Sequence, residues 1–245
     1  MPVDLMEPRL WIAAAVVFTA GVLRGFTGFG AAMMIMPVLS TLYLPADAVA
    51  MMLVLSLSTM VQLLPRALKH TDWGQITPIS LAALAGVPIG ALLLVNLDPN
   101  LMRRAIGGGV LLFGLVLASG WRWKGGQGLI GAITAGGLSG AMNGASGAGG
   151  GPVVLYMLAS PNNAETNRGS IITFYALLSL GTIVNLVWHG IFSWLLVQKA
   201  ILLMAPFMAG TWLGTHLFLK STEAAYRRLA LVALIAVGLY GLLAP

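Results

Sequence analysis

The chain has no cysteine, which excludes a disulfide framework and any thiolate metal site. Charge is almost as scarce. Only 8% of the 245 residues are Asp, Glu, Lys or Arg, against about 25% in a soluble domain. So few charges cannot cover a water-facing surface, and lipid is the expected solvent. Long basic runs are missing too. The net charge of +6 is spread over singles and pairs such as Arg103-Arg104 and Arg227-Arg228. This is no nucleic-acid footprint; it reads as loop charge that orients membrane spans. A cleavable signal peptide is not expected either, since Asp4, Glu7 and Arg9 stand where a basic run would be needed. No loop between apolar stretches is long enough for a soluble domain.

Apolar residues fill the rest, 58% of the chain, with a mean hydropathy of +0.92. A span needs about 20 of them, coiled as a helix so that each backbone group is satisfied internally. Residues 47–64, 75–95, 101–119, 169–188 and 195–218 meet or approach that length, and 225–243 adds a sixth. Two stretches are different. Residues 10–43 and 128–160 are too long for one span and carry glycine clusters midway, Gly25 to Gly30 and Gly144 to Gly151. Their arms, about 11–15 residues each, cover half to three-quarters of a hydrocarbon core of about 30 Å. Broken helices or re-entrant hairpins are expected. Pro37, Pro88, Pro152 and Pro206 are further expected kinks.

The two odd stretches are copies of each other. Arg24-Gly25-Phe26-Thr27-Gly28-Phe29-Gly30-Ala31-Ala32 aligns with Asn143-Gly144-Ala145-Ser146-Gly147-Ala148-Gly149-Gly150-Gly151. Pro45-Ala46-Asp47-Ala48 aligns with Pro161-Asn162-Asn163-Ala164, Gln62 with Asn185, Gly86 and Gly90 with Gly210 and Gly214, and Arg103-Arg104 with Arg227-Arg228. A duplication with the interrupted segment at the same place in each half points to a transporter with its site at the repeat interface. The expected fold is an all-α polytopic membrane protein of two homologous halves, 1–122 and 123–245. Each half holds three full spans plus a Gly-broken helix or re-entrant hairpin, about eight transmembrane segments in all. If the Gly segments crossed, the halves would be parallel and Arg and Lys would divide evenly between the two sides. If they turn back, the halves are inverted. Arg66, Lys69, Arg122, Lys124, Arg168, Lys220, Arg227 and Arg228 then share one side and Arg9, Arg103 and Arg104 the other. The lopsided arrangement fits the positive-inside rule, so inverted repeats with a basic cytoplasmic side are expected.

Inverted hairpins would bring their glycine tips together near the midplane. The second arms, starting near Gly30 and Gly150, would offer unpaired N–H groups and partial positive charge, and glycine lets a ligand approach them. Thr27 and Ser146 add hydroxyls, Asn143 an amide and Arg24 a cation with no obvious carboxylate neighbour. Together with Gly25, Gly28, Gly144, Gly147, Gly149, Gln62 and Asn185 they form the expected site for a small anion. Simpler roles compete. Glycines can be a helix-packing surface, Arg24 can snorkel, and Thr27 and Ser146 can bond back to their own helix. Asp47 and Asn163 can cap helices, while Gln62 and Asn185 can join helices. The thirteen Met read as ordinary packing, and the tryptophans at span ends read as interface anchors.

On the doubled glycine motif, the Pro37 and Pro152 that accompany it and the Pro-x-x-Ala after each copy, the sequence resembles the TauE/SafE family of sulfite and organosulfonate exporter-like permeases. The resemblance covers essentially the whole chain. It implies a carrier in a bacterial inner membrane for sulfite, an organosulfonate such as sulfoacetate, or thiosulfate, with no cofactor and no enzymatic activity. One departure stands out: Ala31-Ala32 in the first copy faces Gly150-Gly151 in the second. Two other functions remain open at this stage. Gly144-Ala145-Ser146-Gly147 with His189 could serve an intramembrane serine hydrolase, although the first copy has no histidine at the matching place. A channel or carrier for another small ion is the other. The expected partners are a small anion, the bilayer and, from the apolar exterior, a second copy as a homodimer.

Overall fold

A computed structural model of the chain describes residues 8–27, 30–120, 127–188, 190 and 194–218. Nine α-helices occur among them: α1 (Pro8–Thr27), α2 (Ala31–Leu42), α3 (Pro45–Ala67), α4 (Trp73–Asn96), α5 (Pro99–Ala118), α6 (Leu129–Ser146), α7 (Gly151–Leu158), α8 (Ala164–Trp188) and α9 (Trp194–Phe218). No strand occurs among the described residues. Helices α1, α3, α4, α8 and α9 are each long and apolar enough to cross a bilayer. All five internal spans expected from hydropathy are present as helices. The sixth, 225–243, lies outside the described residues.

Helix starts follow local chemistry. Pro45 and Pro99 begin α3 and α5, where the missing N–H costs nothing. The Asp72 carboxylate accepts the Gln75 N–H at 3.2 Å to start α4, and Asn163 Oδ1 accepts the Thr166 N–H at 2.8 Å to start α8. Asp47 makes no such cap. It sits in the first turn of α3, where a carboxylate still complements the helix dipole.

Each glycine cluster ends one helix and starts another, as expected, but the arms are unequal. The first arms run 20 residues (α1) and 18 (α6), about 30 and 27 Å; the second run 12 (α2) and 8 (α7). The first arms stay helical because their glycines recur every four residues and form a stripe. Gly21 and Gly25 of α1 lie against the backbone of α9 at Phe207, Thr211 and Thr215, while Gly210 and Gly214 of α9 lie against α1 at Phe18 and Val22. In the same way Gly136, Gly140 and Gly144 of α6 press on α4 at Ile79, Ala83 and Val87, and Gly86 and Gly90 of α4 press back on Gly137 and Ala141. In both pairs the contacts advance together along the two chains, so the helices run parallel. Small residues every fourth position are how helices approach closely where lipid supplies no hydrophobic drive. These two seams are the most extensive helix packing among the described residues, and α3 and α8 pack on each other, α3 also on α9 and α8 on α4.

Both ends of each hairpin lie together. Arg9 Nη1 donates to the Leu42 carbonyl at 3.4 Å, closing the base of α1–α2, and Arg103 Nε donates to the Ser40 carbonyl at 2.6 Å. That base therefore sits beside the α4–α5 junction. Gln127 Nε2 donates to the Tyr156 carbonyl at 3.2 Å, closing the base of α6–α7, and Gln75 Nε2 donates to Gln127 Oε1 at 3.0 Å. This second base sits at the opposite end of α4.

The seams make a stability test. A Cβ at Gly140 would overlap the Ala83 carbonyl, whereas one at Gly109 of α5 meets nothing. Gly140→Ala is expected to lose about 1–3 kcal/mol by overpacking, and Gly109→Ala to gain up to about 1 kcal/mol of helix propensity. Melting temperatures of the purified variants in one detergent check both.

Candidate functional site

Arg24 lies in the last turn of α1, next to the seam glycines Gly21 and Gly25 but off their stripe. Helical side chains lean back toward the N-terminus, so Arg24 reaches inward from the end of α1. It is 6% exposed, and its Nε is buried with no hydrogen-bond partner among the described residues. Its guanidinium carbon stands 5.9 Å from the centre of the Tyr175 ring, a cation–π contact. No described carboxylate pairs with it. Glu165, at the start of α8, faces Arg66 at 3.6 Å and His70 at 3.5 Å instead. Further positive charge is close by, since Arg168 Nη2 donates to the Gly25 carbonyl at 3.3 Å. Thr215 donates to the same carbonyl at 3.2 Å. Bringing a guanidinium to this depth costs several kcal/mol unless it is paired.

Asn143, which aligns with Arg24, has a different task. Its Nδ2 donates to Thr182 Oγ1 at 2.9 Å, and its Oδ1 accepts the Gly149 N–H at 3.4 Å. Ser139, one turn earlier, accepts the Val153 N–H at 3.1 Å through Oγ. Two donors at the head of α7 are thus satisfied within the hairpin. The bend itself is a helix C-cap: Gly147 is left-handed at φ 65°, and its N–H reaches the Asn143 carbonyl at 2.7 Å. This is a conformation glycine adopts freely. Ser146 Oγ donates to the Met142 carbonyl at 2.6 Å and accepts the Ala148 N–H at 3.2 Å. Its proton is committed to its own helix rather than to a base; His189 lies outside the described residues.

The remaining expected site residues are scattered. Gly25 and Gly144 belong to the backbone seams, and Gly149 packs against Ser139 and Asn143 inside its own hairpin. Gly30 is left-handed at φ 88° and leads into α2. Gly28 and the Thr27 side chain lie outside the described residues. Gln62 sits on an exposed face of α3, and Asn185 is half-buried on α8; neither joins Arg24 in any described contact.

Side chains fill the space around the second bend. Gly147 packs against Met36 of α2 and Val49 of α3. Tyr175, near the middle of α8, stands between the rest: its ring is under Arg24 and its hydroxyl fills the space in front of Gly150. A cavity of about 180 Å³ lies on the other side of the second bend, lined by Met33, Met102, Ile106, Phe113, Met142 and Ser146 among others. Sequence reading missed Tyr175, Phe113, Ser139 and Thr182. The one available signal was the spacing of Ser139 and Asn143, one turn apart on a single helix face. No Tyr stands between Pro45 and Gln62 in the first copy, so the duplication does not point to Tyr175.

Asn143→Ala removes both of its bonds: it leaves the buried Gly149 N–H without an acceptor, while the Thr182 hydroxyl keeps its bond to the Leu178 carbonyl. It is expected to cost about 1–3 kcal/mol, read as a lower melting temperature, with Thr182→Val less severe.

The family profile described as Sulfite exporter TauE/SafE matches residues 13–241. No curated protein and no solved structure matches the chain. The profile spans both glycine bends, both seams and the buried Arg24, and covers all but the ends of the chain: this multi-pass membrane protein belongs to the sulfite exporter TauE/SafE family, whose members are transporters.

Proposed function

We propose that the protein moves a small sulfur-containing oxyanion, such as sulfite, an organosulfonate or thiosulfate, across the inner membrane of a bacterium, and that Arg24 is its principal binding residue. The observation that carries this reading is the buried guanidinium with no carboxylate, and a buried Nε with no hydrogen-bond partner, among the described residues. An anion supplies what that group lacks: a counter-charge and acceptors for a fork of N–H donors. The family's printed description points to the same class of ligand.

The transport step is read as alternating access between inverted halves, 1–122 and 123–245. Support comes from the two hairpin bases, closed at opposite ends of α4 by Arg9–Leu42 and Gln127–Tyr156. The seams add a refinement. Because α1 is pressed to α9 and α6 to α4, the bodies that move would be exchanged between halves: α1, α2 and α9 in one, α4, α6 and α7 in the other. The basic side, with Arg66, Lys69 and Arg168, is read as cytoplasmic. An inside-negative potential then favours anion exit by about 2.3 kcal/mol per charge per 100 mV. The hydrolase reading is set aside: Ser146 bonds its own helix, and the family consists of transporters.

Sulfite is expected to raise the melting temperature of the purified protein and to leave loaded proteoliposomes faster when the interior is negative. Arg24→Gln should abolish both effects, and Arg24→Lys, which keeps the charge but loses the fork, should weaken them. Equal sulfite efflux by Arg24→Gln and the natural protein overturns the proposal.

A further inference from the structure

Two aromatic rings rest on neighbouring glycines of the second bend: Phe113, in the wall of the cavity beside Ser146, and Tyr175, under the Arg24 guanidinium. The cavity lining starts at Met102, in the first turn of α5, and follows that helix to Phe113, about three turns on. Phe113 fills the space in front of Gly151, and the Tyr175 hydroxyl fills the space in front of Gly150. A Cβ at either glycine would overlap its ring. This accounts for the departure in the duplicated motif. The first copy has Ala31-Ala32, while the second keeps two further glycines at the positions where rings need the room. Beyond the Tyr175 ring lies Arg24.

We propose that the cavity is a vestibule reached from the Arg103 side of the protein and that Tyr175 is the gate between it and the anion site. The proposal rests on the reading of Arg24 as that site. With the gate shut, the Tyr175 ring partners the guanidinium through its π-face and its hydroxyl is lodged on Gly150. An arriving anion competes with the ring for the same cation through charge-assisted hydrogen bonds, so binding and displacement of Tyr175 are one event. The displaced phenol is then a donor to the bound anion beside Arg24. Tyr175 therefore acts in positioning and access.

The test uses the absence of native cysteine. Gly109 lines the cavity and has open space for a side chain, so Gly109→Cys places one thiol in the vestibule. Sulfite transport into proteoliposomes is read before and after modification by a bulky, impermeant maleimide, whose thioether sulfite does not cleave. In parallel, Tyr175→Phe and Tyr175→Ala are read for sulfite counterflow and passive leak. The expected results are a block by the adduct, loss of counterflow with a sulfite leak in Tyr175→Ala, and intact gating with about tenfold weaker sulfite binding in Tyr175→Phe. If Tyr175→Ala does not fold, the adduct and Tyr175→Phe decide. Transport indifferent to the adduct, or Tyr175 variants that bind and move sulfite as the natural protein does, overturns the gate. Sensitivity to Arg24→Gln in the same vesicles separates that outcome from failure of the anion site itself.

Discussion

Two seams of backbone against backbone, α1 on α9 and α6 on α4, set the positions of everything else. Helices in lipid gain little from burying apolar side chains, because the tails outside are as apolar as the interior. What holds them is close approach, and close approach needs a missing Cβ at every fourth residue. Gly21 and Gly25 with Gly210 and Gly214 meet that requirement, and so do Gly136, Gly140 and Gly144 with Gly86 and Gly90. Each seam joins helices from different halves of the sequence. The same stripe that presses α1 onto α9 turns Arg24 out of the contact and toward α8, where Tyr175 receives it.

The duplication then produces one charge instead of two. Arg24 and Asn143 occupy equivalent places, yet Asn143 is used structurally, bonding Thr182 of α8 and the Gly149 N–H of its own hairpin. Ser139 and Ser146 are used in the same internal way. The second bend is therefore a corner braced by Ser139, Asn143 and Ser146. The first carries the unmatched guanidinium, with Arg168 adding positive potential one residue away through the Gly25 carbonyl. Glu165 is turned to Arg66 and His70 at the surface.

Hydropathy was enough to find the helices, since α3, α4, α5, α8 and α9 each cover an expected span. It misjudged the glycine arms. Glycines every four residues look like helix breaks in a linear reading, but in three dimensions they are one face of a continuous helix, which is why α1 and α6 run on to 20 and 18 residues. The same ambiguity put Gly25 and Gly144 among the anion contacts, when the space before each is filled by a neighbouring backbone. Asn163 caps its helix as its position after Pro161 foretold; Asp47, at the aligned place, does not. The burial problem posed by Arg24 was legible because a cation in an apolar stretch without a nearby carboxylate is costly wherever it folds. Its aromatic partner was not, because contact between α1 and α8 depends on packing that no local pattern records.

The account turns on an anion occupying the place beside Arg24, and an experimental structure with bound selenite, the heavier counterpart of sulfite, addresses it most directly. Selenium scatters anomalously and the native chain contains none. The account predicts an anomalous peak within hydrogen-bonding distance of the Arg24 guanidinium, with the Tyr175 ring moved off Gly150. A peak confined to another part of the protein, with Arg24 still stacked on Tyr175, would contradict it.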